Sequence, residues 1–286
     1  MASLRQIRRR MKSVENINEI TKAMQMISTF RFKRAESRFS RIRSYLMEME
    51  GILANLLASA NDFSHPLFEQ RKQKKKALIV MTGDKGLCGS YNANLLKETK
   101  YWAARNTGVD LFVIPVGKVG AETLKKRRYK LSLVYPEKAI ADSGLSKKIT
   151  EELKELFLKG IVDSVELLYT SFKVGAAGQN KIQPFLPLNH LVQNKKDGRS
   201  AIEYIYEPNF QEVFISLIQK FLEGKIYLSL LESLTSEHSA RRMAMKQASE
   251  NGEEVLDSLK LLKNKTRQAM ITRELSEIVG GASVLV

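Results

Sequence analysis

A chain of 286 residues with 43% apolar side chains can bury the core of one large domain or two modest ones. Its formal net charge of +16 attracts nucleic acid, anionic membrane surfaces or acidic protein partners. The single cysteine, Cys88, excludes an internal disulfide framework and a thiolate zinc cluster, and it suits a reducing compartment.

The charge is unevenly spread. Residues 1–60 hold 12 Lys/Arg against 5 Asp/Glu, whereas residues 207–286 hold 10 against 11. The basic surface therefore belongs to the N-terminal stretch and the middle. Arg5, Arg8, Arg9, Arg10 and Lys12 are followed by no apolar core, which excludes a signal peptide, and no run approaches the roughly 20 apolar residues that cross a bilayer. A role at a membrane is then played from the side.

Residues 2–58 lack Pro, and their only Gly is Gly51. Apolar positions recur at Leu4, Ile7, Met11, Val14, Ile17, Ile20, Met24 and Ile27, then at Ala35, Phe39, Ile42, Leu46, Met49, Leu53 and Leu56. Alternating steps of three and four predict one coiled-coil helix over 1–58, on the order of 80 Å long. Two successive steps of three between Val14 and Ile20 predict local overwinding. Residues 61–76, with Asn61, Asp62, Pro66 and the run Arg71 to Lys76, read as a solvated break.

The period then changes. Ala77–Thr82 and Asp110–Val116 read as buried strands, followed by candidate strands at 131–135, 164–172, 181–186 and 201–206. Helical patterns fall at 91–105, 118–128 and 145–159. Strands alternating with helices predict a Rossmann-like, parallel-rich α/β domain over 77–206, with the last two strands and the polar loop 193–199 as an antiparallel edge.

From Asn209 the helical pattern resumes, and no Pro follows Pro208. Its seam reads Met245, Ala248, Gly252, Val255, Leu259, Leu262, Thr266 and Ala269. A mid-helix Gly costs about 1 kcal/mol against Ala, so Gly252 predicts close approach of a partner helix. The final residues, Val279 to Val286, are almost wholly apolar, unlike an ordinary frayed terminus, and predict a buried tip. Single coiled-coil helices need a partner, so 1–58 and 209–286 are expected to pair antiparallel, flanking the α/β domain, with the longer C-terminal helix projecting past the other.

No catalytic constellation can be assembled from sequence. The loop Gly83-Asp84-Lys85-Gly86-Leu87-Cys88-Gly89 sits between strand and helix, where phosphate loops sit, but it matches neither G-x-G-x-x-G nor G-x-x-x-x-G-K-[ST]. A tight turn is the simpler reading. His65, His190 and His238 lack ligands at metal spacing, and Cys88 has no local base. Neither a metal nor a cofactor is expected. Glu253, Glu254 and Asp257 form an acidic helix patch, solvated or matched to a basic partner.

Stretches in both long helices and in the loop after the first strand carry a family resemblance. They are Arg8 to Met26 with the phrase Ile20-Thr21-Lys22-Ala23-Met24, the loop Asp84 to Gly89, the run Ser236 to Arg241 followed by Ala244-Met245-Lys246, and the stretches Asn264 to Ala269 and Ile271 to Val279. Together they strongly resemble the gamma subunit of F-type ATP synthase. Lys85 stands where Arg is usual in that family, and Val284 departs from the small or charged residue common there.

The resemblance implies a non-catalytic rotor shaft inside a ring of alpha and beta subunits, docked with an epsilon subunit on a membrane c-ring. It implies subunit contacts at Met24, Lys85, Arg267, Gln268, Thr272, Val284, Leu285 and Val286. A lone Cys88 leaves no paired thiols for the redox switch of chloroplast relatives. The lack of a clear transit segment favours a bacterial protein at the inner membrane, peripheral on its cytoplasmic side. Two rival readings remain at this level: a basic coiled coil that binds nucleic acid, against which stands the near-neutral C-terminal helix, and a nucleotide-dependent enzyme built on residues 77–206.

Overall fold

A computed structural model describes residues 3–59, 65–135, 143–173, 178–189, 191 and 206–283. The elements are α1 (Leu4–Ser59), a 3-10 turn (Pro66–Phe68), β1 (Lys75–Met81), α2 (Tyr91–Arg105), β2 (Asp110–Val116), α3 (Lys118–Lys126), α4 (Ser143–Leu158), β3 (Ser164–Ser171), β4 (Gln179–Leu186) and α5 (Phe210–Ser283). They form two compact units, one of Met1–Ser28 with Arg241–Val286 and one of Thr29–Ala240.

The larger unit is built on a four-stranded sheet in the order β2-β1-β3-β4. β1 pairs parallel with β2 and β3, and β4 runs antiparallel along β3. Ala77 to Met81 are wholly buried because β1 is central and covered on both faces. Alternation then assigns each side chain to a layer. Leu78 and Val80 join Tyr91, Leu95, Trp102 and Leu124 from α2 and α3. Ala77, Ile79 and Met81 join Leu153 and Phe157 of α4, Leu46 and Leu53 of α1, and Phe214, Leu222 and Leu230 of α5. Within this unit α1 and α5 touch at Gly224, where an added Cβ would lie 2.5 Å from Leu46 Cδ2. A side chain there would require Leu46 to shift.

Several expectations shift. Residues 131–135 make only isolated parallel bridges, Leu131 with Val113 and Tyr135 with Val116, rather than a full strand. The helix expected over 118–128 stops at Lys126, and Arg128 takes a left-handed φ of 58° that turns the chain. The antiparallel edge is β4 on β3; apart from Tyr206, the strand expected at 201–206, like loop 193–199, lies outside the described residues.

The smaller unit is a helix pair. Asn18 of α1 meets Ser249 and Gly252 of α5. Lys260, hydrogen-bonded to Asp257 and facing Glu15, is held above the usual lysine range. Stepping back along α1 from 18 to 15 thus steps forward along α5, as an antiparallel pair requires. The two successive steps of three, Val14 to Ile17 to Ile20, do not lie on the seam. The inward positions of α1 run 7, 11, 14, 18, 21, 25 and 28, an unbroken alternation of four and three, while Ile17, Ile20 and Ile27 point outward. Polar residues Asn18, Thr21 and Ser28 occupy the seam, so a count of apolar residues alone slips off it. On α5 the same slip occurs. Leu256 and Lys263 turn inward, and Val255 and Leu262 are exposed.

Candidate subunit-interface sites

The loop after β1 is held by its own side chains and by side chains of α2 and α5. Thr82 Oγ1 donates to Val116 O at 3.1 Å and accepts from Gly120 N at 2.9 Å. Gly83 N donates to Asn92 Oδ1 at 2.9 Å, and Lys118 N donates to Asp84 Oδ1 at 3.1 Å. Asn92 Nδ2 donates to Cys88 Sγ at 3.3 Å, so the buried thiol is a structural contact of the turn. Tyr91 OH exchanges a 2.6 Å hydrogen bond with Ser233 Oγ, which also donates to Met81 O at 3.1 Å, tying the loop's following helix to α5.

This architecture decides what the loop can do. A Cβ on Gly83 would lie 2.9 Å from the carboxyl carbon of buried Glu237. A buried carboxylate fills the space a phosphate would need, and the Gly83 N–H is already engaged. The loop is a rigid turn that presents Lys85 and Leu87 outward. Leu87 is exposed at a left-handed φ of 61°. Among L residues such a φ is uncommon and marks a constrained turn.

In the helix pair, Met24 is half-buried and its carbonyl accepts from Ser28 Oγ at 2.7 Å. Thr21 Oγ1 likewise donates to its own helix, at Asn18 O. The Thr21 and Ser28 hydroxyls are therefore satisfied within their own helix, whereas Ser249 Oγ donates across the seam to Asn18 Oδ1, both side chains being buried. Lys22 pairs with Glu253 at 2.7 Å, but both are more than half exposed. That exposed carboxyl is held below the usual range by hydrogen bonding and charge from Lys22. The acidic patch is thus partly matched within the chain.

Towards its end α5 loses its cover. Arg267, Gln268 and Thr272 are all exposed, as is every described side chain from 267 to 279. Met270, Ile271, Leu275, Ile278 and Val279 present apolar surface to solvent there. Val284, Leu285 and Val286 lie outside the described residues. Of the eight expected contact residues, five are described, and they fall on separate elements: Met24 on α1, Lys85 on the loop after β1, and Arg267, Gln268 and Thr272 on the exposed end of α5.

The histidines do other work. His65 Nδ1 accepts from Leu67 N and caps the 3-10 turn; burial and nearby Lys154 lower its pKa. His238 is buried on α5, and His190 lies outside the described residues. No group of three metal-binding side chains occurs among the described residues, and none of their helices is long and apolar enough to cross a membrane. Sequence reading missed Asn18, Ser249, Asn92 and Glu237. Polar residues at apolar-seam spacing were the available signal for the first two.

A helix pair with a polar seam, outward-facing isoleucines and a long uncovered apolar end defines a subunit of a larger assembly. Comparison with known proteins specifies which. The ATP synthase family model matches residues 3–285. The ATP synthase gamma chain of Cytophaga hutchinsonii is 38% identical over 301 residues, covering 100% of this chain and 99% of its own. That of Desulfitobacterium hafniense is 37% identical over 289 residues with 100% of both chains covered. A chain of the Tetrahymena thermophila mitochondrial ATP synthase central stalk and c-ring superposes with a TM-score of 0.61 at 25% identity, over 80% of this chain and 99% of that one. A chain of the Euglena gracilis mitochondrial ATP synthase reaches 0.71 at 16% identity, over 99% and 94%, which speaks for the fold alone. The chain belongs to the ATP synthase gamma chain family.

Proposed function

We propose that this chain is the central shaft of a rotary, proton-driven ATP synthase. Proton flow turns a membrane c-ring. The shaft turns with it and forces the catalytic beta subunits, alternating with alpha subunits around it, through successive conformations. ATP is made in those subunits and not on this chain. The observation that carries the reading is the full-length family match, joined to an α5 end whose described apolar side chains are exposed.

The physical logic suits a rotor. An apolar tip in an apolar sleeve has few directional bonds to break on each step. Exposed ion pairs are worth about 0–1 kcal/mol, so basic faces can exchange acidic partners as the shaft turns. In this reading Met24, Lys85, Arg267, Gln268 and Thr272 contact alpha and beta subunits, and Val284, Leu285 and Val286 seat in the sleeve. Residues 1–58 and 209–286 act as the shaft, while residues 77–206 form the domain that docks with epsilon and the c-ring. The complex sits at a bacterial inner membrane, and this subunit is peripheral on its cytoplasmic side. Lys85 supplies charge at the loop without the bidentate fork of an arginine.

Reconstitution tests the reading. An alpha/beta hexamer assembled with this chain, immobilised and carrying a probe on an engineered surface cysteine, is expected to rotate the probe during ATP hydrolysis. A chain that joins the hexamer yet stays fixed to it while ATP turns over would refute the shaft role.

A further inference from the structure

The N-terminal ends of β1, β2 and β3 share one end of the sheet, with Lys75 opposite Asp110 and Lys76 opposite Ser164. Three helices finish at that end. Beyond α2, Asn106 accepts a 2.9 Å hydrogen bond from Lys76 Nζ. Beyond α3, the chain turns through Arg127 and Arg128 to Lys130, whose carbonyl accepts from Val113 N and whose ammonium lies 4.2 Å from the Phe112 ring centroid. Beyond α4, Asp163 accepts from the Lys74 and Lys75 amides at 2.9 Å, and Arg71 Nη1 donates to Phe157 O at 2.6 Å.

The result is a rim of cations drawn from separate segments. Most of its carboxylates are occupied: Glu69 pairs with Arg71, Glu98 with Arg105, Glu155 with Lys159, and Asp163 holds backbone amides, while exposed Asp110 at the start of β2 offsets one cation. Among the described residues, no ion pair engages exposed Lys72, Lys74, Lys125, Lys126, Arg127 or Arg128. Helix C-termini favour cations, which accounts for Arg105, Lys125 and Lys126. It does not account for Lys72 and Lys74, which no helix carries. Nor does it explain two apolar side chains in the same rim, Leu158 at 46% and Ile161 at 39% exposure, on the turn between α4 and β3.

We propose that this rim docks on the anionic headgroups of a lipid bilayer, with Lys and Arg at the phosphates and Leu158 and Ile161 dipping into the interfacial layer. Cations around a small apolar tip are the pattern of peripheral membrane contact. The cations lie on separate turns and form no single fork, which suits a fluid headgroup layer better than a fixed array of carboxylates. Lipid contacts also exchange freely under a sliding surface. The inference goes beyond the shaft reading, and its test does not depend on rotation.

The full-length chain is sedimented with neutral phosphatidylcholine vesicles and with vesicles containing about one third phosphatidylglycerol. Binding to the anionic vesicles alone, weakening as salt is raised, is expected. Removing rim cations by Lys72→Gln, Lys125→Gln and Arg127→Gln together should lower the partition coefficient at least about tenfold, each cation contributing about fivefold. Removing the same charge at the opposite end of the same sheet, by Lys85→Gln, Lys118→Gln and Lys173→Gln in the segments that follow β1, β2 and β3, should change it less than about twofold, since only charges near the surface count. Leu158→Ser with Ile161→Ser should lower it about tenfold at unchanged net charge. Unchanged circular dichroism and melting temperature verify the fold of each variant. Equal losses from the two charge variants would overturn the proposal in favour of diffuse attraction. No loss from the Leu158/Ile161 variant would overturn it in favour of an acidic protein partner.

Discussion

At the scale of single residues, two positions carry more than their neighbours. Gly117 begins α3 at a φ of 103°, and a Cβ there would lie 2.3 Å from Thr82 O. Both the left-handed backbone and the backbone clash oppose any side chain. Gly117→Ala should cost about 3 kcal/mol of stability in a chemical denaturation series. Lys225 is the second. It is buried on α5, attracted by Glu50 of α1 and repelled by Lys181 of β4, and burial pushes its pKa down to about 8 from 10.5. Between those values the unfolded chain holds a proton that the folded chain has released. The penalty is therefore complete below about pH 8 and fades as pH rises towards 10.5. Raising pH from 7.5 to 9.5 should stabilise the parent over Lys225→Met by about 2 kcal/mol, measured as the difference between their denaturation free energies. An equal pH response in both proteins would show the ammonium to be solvated. Gly117 was visible in the sequence only as one glycine among 16. Nothing in the local sequence marks Lys225, because burial of an ammonium depends on which helix face meets the sheet.

At the scale of elements, the helix pair is held by a different logic from the one its apolar residues suggest. Its seam passes through Asn18, Thr21, Ser28, Ser249 and Gly252, and its isoleucines 17, 20 and 27 face outward. A buried polar pair specifies register at some cost in stability. The Asn18–Ser249 hydrogen bond should show a coupling of about 1 kcal/mol in a double-mutant cycle of Asn18→Ala and Ser249→Ala, followed by thermal unfolding. Lys22→Ala, which removes the exposed pair with Glu253, should change stability by less than about 1 kcal/mol. The two long helices run Leu4–Ser59 and Phe210–Ser283, and the period and freedom from Pro that form them are local properties of the sequence. Apolar periodicity misplaced parts of both seams, because a hydroxyl that bonds its own backbone is as easily buried as a small apolar group.

At the scale of the whole molecule, stability and function separate along the chain. The exposed α5 residues beyond Ala269 contribute no buried side chain among those described. Removing residues 270–286 should leave the melting temperature of the isolated chain within about 2 °C of the parent. The same truncation should weaken seating in an alpha/beta hexamer, read as lost torque or lost co-purification. A large drop in melting temperature would show that the tip folds back on its own chain. Much of this organisation follows from sequence: two long helices flanking a parallel-rich α/β sheet, and a family signature in the loop, both helices and their order. These are written in local period, glycine placement and contiguous motifs, which the chain carries without folding. Other features exist only once distant segments meet. The cover of Gly83 by Glu237, the cation rim gathered from the ends of α2, α3 and α4, and the polar register layer at Asn18 each join residues far apart in the chain. Tertiary structure decided them because burial, hydrogen-bond satisfaction and charge crowding are properties of neighbours in space.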